Sequence, residues 1–251
     1  MASEGTELSF WDHLDALRGT LIRSLAAVCV MTLAGLVFRS FIFDTVILAP
    51  ASGDFFIYRW FPMQSNVDIV NLEISGQFMV HLRVSLMLGL VLAFPYIVWE
   101  IWRFIAPALY DNEKRGVSRA FLLSGALFYL GILVGYFILL PVCLSFFQGY
   151  TVSESISNTF SLQSYISLFG SMVLVIGLVF EFPVLIMALS SVGVLNRKVL
   201  KKGRKYALVA VLILAAAVTP ADLGSMILVS IPLYGLYELS ILFSKKEELE
   251  V

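Results

Sequence analysis

Charge is what this chain has least of. Only 14% of its 251 residues are Asp, Glu, Lys or Arg, where a soluble domain carries about 25%. With 59% hydrophobic residues and a mean hydropathy of +0.91, that scarcity excludes a water-soluble domain and leaves an all-α, polytopic membrane protein. Histidine is nearly missing too. His13 and His81 fall on opposite sides of the expected membrane, which excludes a His-based metal cluster. Cys29 and Cys143 both lie in apolar runs, so no disulfide framework is expected. No G-x-x-x-x-G-K-[ST] phosphate loop is present, so ATP hydrolysis is not expected. No acid and base pair up at one depth, which argues against an enzyme. No cofactor, metal or nucleic acid is implied. The polar, acidic stretch Met1–Arg18 lacks a cleavable signal, so the first apolar run is expected to stay as a helix.

What is there is a series of apolar runs forming one membrane domain over 1–251. Helices are expected at about 20–43, 77–104, 121–147, 166–192, 206–218 and 223–243. An amphipathic lead-in, Ser9–Leu21, precedes the first, with Phe10, Leu14, Leu17 and Leu21 on one face. Asp44–Ser75 is polar but rich in aromatics, and reads as an ordered surface cap. Pro141 should kink the third helix. Gly131-x-x-x-Gly135 marks a close helix contact, more readily within the chain than between copies. Sidedness follows from Lys and Arg: 14 of the 17 fall in the N-terminal segment, the Arg103–Arg119 connection, the Asn196–Lys205 run and the tail. The positive-inside rule then places both termini in the cytoplasm.

Three places could carry function. The stretch Trp99–Arg115, WEIWRFIAPALYDNEKR, is an aromatic elbow at headgroup depth, where Pro107 should push Ala106 out of the helical region and bend the chain. On residue types alone it is a well-anchored loop. Its carboxylates Glu100, Asp111 and Glu113, with Asp15, could each accept a bidentate guanidinium; local pairing with Lys114, Arg115 or Arg119 is the plainer alternative. Glu181, in VFEFPVL, puts a carboxylate inside the bilayer at a cost of about 2.5–3.5 kcal/mol. It reads as a polar spot for a substrate segment or partner helix, or else as a structural hydrogen bond. It would also serve a proton-coupled secondary transporter, against which the lack of an internal repeat argues.

Four separated stretches, in order, resemble the TatC family, the multispanning receptor subunit of the twin-arginine translocase. They are SFWDHLDALRGTLIRS, LAFPYIVWEIWRFIAPALYDNEKR, FEFPVLIMAL and TPADLGSMILVSIPLYGLYELSI. The resemblance implies a cytoplasmic-face receptor in the inner membrane for Arg-Arg signal peptides of folded proteins. It further implies single-span TatA/TatB-type partners, proton-motive-force-driven export, contact with membrane lipid, and room for homo-oligomers in the receptor complex. Phe104 and Glu113 match the family's signal-peptide-binding Phe and Glu. Pro107, Leu109 and Tyr110 match its loop frame, and Arg18 matches the Arg of its H-L-x-E-L-R lead-in. Glu181, Asp222 and Glu238 match its intramembrane, turn and last-helix acidic residues. Two positions depart. The lead-in Glu is Ala16, leaving Asp15 about 100° away around a helix, and Met226 stands where a polar residue is frequent.

Overall fold

The computed structural model describes residues 10–60, 67–153, 158–219 and 223–244, with backbone alone at 10, 111–113 and 243. Long apolar runs must satisfy their backbone polar groups internally in lipid, and the chain is almost wholly helical. The helices are α1 (Phe10–Val37), α2 (Gly76–Ile105), α3 (Asp111–Val134), α4 (Leu140–Gly149) and α5 (Leu162–Gly170). There follow α6 (Ile176–Val179), α7 (Phe182–Ser191), α8 (Arg197–Lys202), α9 (Arg204–Val218) and α10 (Leu223–Phe243). Two π-helical stretches, Gly135–Leu139 and Ser171–Val175, link α3 to α4 and α5 to α6.

Several boundaries differ from the sequence reading. The lead-in and first span are one helix, since no proline interrupts Phe10–Val37. Leu14, Leu17 and Leu21 on the lead-in are all exposed. The break expected at Pro141 takes the form of the π-helical stretch just before it, where the ladder absorbs the missing proline N–H. Ala106 stays helical (φ −53°, ψ −38°), against expectation. A proline in the first turn of a short 3-10 helix needs no donor, so Ala106–Ala108 continues the helix and the chain turns at Leu109 (φ −95°, ψ 144°).

Among the described residues, six segments are long and apolar enough to cross a membrane: Trp11–Val37, Arg39–Arg59, Gly76–Ala108, Lys114–Gly149, Leu162–Ser191 and Leu223–Leu242. The number is the expected one, but the membership differs. Arg39–Arg59 is included, and α9, with 15 residues, is not. Arg39–Arg59 is a succession of short α, π and 3-10 pieces lying across the far ends of α3–α4 and α5. The Tyr136 hydroxyl donates to the Val46 carbonyl at 2.8 Å, the Tyr165 hydroxyl donates to that of Ile47, and Phe55 packs on Tyr136 and Phe137. Its apolar residues Ile42, Ile47 and Ala51 are buried in that contact. A two-residue parallel bridge, Ile69–Val70 with Phe160–Ser161, ties the cap to the entrance of α5.

Helices α1 and α2 run antiparallel along most of their length, with Gly35 against Ser85 and Gly89 against Thr32. The largest buried side chains, including Phe128, Leu140, Leu144, Tyr165, Met172 and Ile176, fill the space between α3–α4 and α5–α6. Gly131 faces Phe180 and Gly177, and Gly135 faces the Met172 backbone. The Gly-x-x-x-Gly pair is therefore an intramolecular contact. Phe94 of α2 stacks on Phe128 of α3 at 3.5 Å, which fixes α2 beside this core.

Candidate functional site

The antiparallel register of α1 and α2 brings the start of one helix to the end of the other. Between them, at the elbow, is a cavity of about 240 Å³ lined among others by Asp15, Ala16, Arg23, Arg103, Phe104 and Pro107. Asp15 and Ala16 both border it, so the rotation from one position to the next does not take Asp15 away. Phe104 and Pro107 form the opposite wall. Arg103 also lies 5.8 Å from the Trp99 ring centre, a cation–π distance.

Other expected members are placed differently. Arg18 is exposed on α1 and is not part of the cavity lining. Leu109 is half-buried and Tyr110 is exposed, where the elbow turns into α3. Glu113 belongs to the first turn of α3, and its side chain lies outside the described ones.

Glu100 is a correction. Grouped by sequence with surface carboxylates that pair locally, it is instead fully buried, and its partner is 77 positions away. Arg23 of α1 donates to Glu100 Oε2 from Nε at 2.9 Å and from Nη2 at 2.7 Å. The Tyr96 hydroxyl donates to Oε1 at 3.0 Å. A buried carboxylate is tolerable only when paired and hydrogen-bonded, and both conditions are met here. The available signal was one unlike charge in each of two neighbouring apolar runs.

Glu181 sits at the break between α6 and α7, just before Pro183. The Ser124 hydroxyl of α3 donates to its Oε2 at 2.6 Å. Its Oε1 is buried without a hydrogen-bond partner among the described residues. Glu181 lies ten residues from the Ser191 end of Leu162–Ser191, about 15 Å at a helical rise, so it is nearer the elbow side.

At the last helix pair, Glu238 accepts from Arg204 Nη2 at 2.6 Å and from the Tyr234 hydroxyl at 3.2 Å. Met226 is half-buried against the main core. Asp222 lies outside the described residues. Among those described, no three His, Cys, Asp or Glu side chains cluster as a metal site.

A multi-pass helical membrane protein with a charged cavity at one helix-end crossing and a carboxylate inside the bundle is the class that fold and site define. The family model described as Sec-independent protein translocase protein (TatC) matches residues 12–232, and the chain belongs to this family. A TatC protein of Blattabacterium sp. subsp. Periplaneta americana is 38% identical, with 97% of both chains covered. That of Escherichia coli K12 is 31% identical, covering 93% of this chain and 86% of the relative. A crystal structure described as the twin arginine translocase receptor TatC is 33% identical, with a TM-score of 0.76, over 92% of this chain and 97% of that one. A second, in DDM, has a TM-score of 0.78 at 33% identity, over 93% and 99%. The protein is thus a component of a Sec-independent protein translocase, a transport role and not an enzymatic one.

Proposed function

We propose that this protein receives Arg-Arg signal peptides of folded proteins at the elbow cavity, on the cytoplasmic face of the inner membrane. The observation that carries the reading is the meeting of Asp15 with Phe104 and Pro107 around one cavity, although 89 positions separate Asp15 from Phe104. A carboxylate facing an aromatic wall suits a guanidinium, which pairs with the one and stacks on the other. Glu113, in the first turn of α3 beside the elbow, supplies the second carboxylate. Both termini are cytoplasmic in this reading, because basic residues concentrate at the elbow end.

Recruitment of single-span TatA/TatB-type helices then falls to the membrane face near Glu181 and to α9–α10. The buried Oε1 of Glu181, without a hydrogen-bond partner among the described residues, can accept from a polar group on an incoming helix. Exposed Leu208, Val209 and Ile213 of α9 offer an apolar surface. Met226 faces the core, so it acts as packing and not as a direct contact. Export itself runs on the proton motive force across the membrane, and this chain alone is insufficient for it. A photocrosslinker at Phe104 or Glu113 should capture a synthetic Arg-Arg signal peptide, while one at exposed Trp60 should not. Equal capture from all three positions would contradict the assignment.

A further inference from the structure

The cavity has a charge problem. Of the two arginines in its lining, Arg23 is neutralised by Glu100, which leaves Arg103 against the one carboxylate of Asp15, and the lead-in position that could add a carboxylate is Ala16. A peptide carrying two guanidinium groups finds no spare carboxylate there. The buried pair behind the wall resolves this.

Arg23 lies over Gly19, close enough that a Cβ there would come within 3.1 Å of its Nη1. Its side chain is 44% exposed, whereas that of Glu100 is 1% exposed. The two halves of the ion pair are therefore unequal. Glu100 is fixed from behind by the Tyr96 hydroxyl on Oε1, on a helix packed along its length. Arg23 is a long side chain whose head borders the cavity and whose contacts to the carboxylate fall on one oxygen, Oε2. If either half moves, it is the arginine.

We infer that Arg23 is an internal stand-in for a substrate arginine: it occupies a guanidinium seat on Glu100 that one arginine of the Arg-Arg motif takes over when Arg23 swings out. The inference rests on the recognition proposed above and assigns Glu100 as a specificity residue for it. The exchange replaces one guanidinium on a buried carboxylate by another, so no buried charge is left bare, which would be the costly outcome. The displaced Arg23, whose side chain is already 44% exposed, can carry its charge into water. A lysine cannot complete the exchange, because its point charge does not reproduce the planar donor fork. Glu100 thus takes the place of the carboxylate missing at Ala16.

The test uses the full-length chain in nanodiscs, with Arg23→Ala, Glu100→Gln and the double variant. Removing the stand-in should make Arg23→Ala bind an Arg-Arg peptide about tenfold more tightly than the parent, near the low end of what a close charge pair contributes. Glu100→Gln should weaken binding, and the double variant should behave like Glu100→Gln. If Arg23→Ala weakens binding as much as Glu100→Gln, the pair is only a staple between α1 and α2 and the inference falls. A second readout needs no peptide. Millimolar guanidinium chloride should raise the melting temperature of Arg23→Ala by filling the emptied seat, and leave the parent and double variant unchanged. No rise in Arg23→Ala overturns the exchangeable seat while leaving peptide recognition standing. A rise in Arg23→Ala, with no peptide binding by the parent, overturns the recognition reading and keeps the seat.

Discussion

Glu100 and Glu181 are carboxylates inside apolar helices, yet they are held in different ways. Glu100 has an arginine and a tyrosine; Glu181 has one serine and an oxygen without a described partner. Ser124→Ala should leave Glu181 unpaired and lower stability by about 1–3 kcal/mol, read by thermal unfolding in detergent. Glu181→Gln keeps an acceptor for Ser124 and should stay within about 1 kcal/mol of the parent, while impairing association with a partner helix. At the cavity, Asp15→Asn should weaken Arg-Arg peptide binding by roughly ten- to a hundredfold, the worth of a hydrogen bond to a charged group. Ala16→Glu, added to it, should restore binding, since position 16 also borders the cavity. An unchanged affinity in Asp15→Asn would show that Asp15 does not contact the motif. Glu181 was legible because it stands alone in FEFPVL. The role of Glu100 was not, because its partner is fixed by the register between two helices and local periodicity carries no record of that register.

Among the elements, the helix-length patterns were readable and the joints were not. Ala106 precedes a proline and still keeps helical angles, since that steric bias is weaker than continuation into a 3-10 turn. The segment from Arg39 to Arg59 is apolar enough to cross a membrane, but its contacts with Tyr136, Tyr165 and Phe137 lay it over the bundle's end, consistent with the surface cap read from Asp44–Ser75. The Gly-x-x-x-Gly contact offers a clean comparison. A Cβ at Gly135 would strike the Met172 carbonyl, whereas one at Gly125 meets open space. Gly135→Ala should therefore cost about 1–3 kcal/mol through overpacking, and Gly125→Ala should be neutral or gain up to about 1 kcal/mol from helix propensity. Paired melting curves check both. Equal effects would mean that the π-helical stretches Gly135–Leu139 and Ser171–Val175 do not touch as described.

At the scale of the whole molecule, a helix too short to span sets a demand on the bilayer. The helix α9 begins at Arg204, two residues earlier than expected, and has 15 residues. It is still only about 22 Å long against a hydrocarbon core of about 30 Å. We propose that the bilayer thins beside α9 and α10, giving the translocase a weakened patch from which to open. Spin labels stepped from Tyr206 to Phe243 in nanodiscs should report a shortened oxygen-accessible zone; a full-thickness zone would contradict it. Six apolar segments, sparse charge and four ordered motifs made the family legible from the chain alone, whereas the cavity needed α1 and α2 laid side by side. The central claim is that this cavity distinguishes arginine from lysine by geometry and not by charge. The direct measurement is a titration of the full-length protein in nanodiscs with Arg-Arg and Lys-Lys signal peptides of otherwise identical sequence, repeated with Glu113→Gln. The account predicts at least about tenfold weaker binding of the Lys-Lys peptide, a difference of about 1.4 kcal/mol, with that preference reduced in Glu113→Gln. Equal affinity of the two peptides for the parent would contradict it.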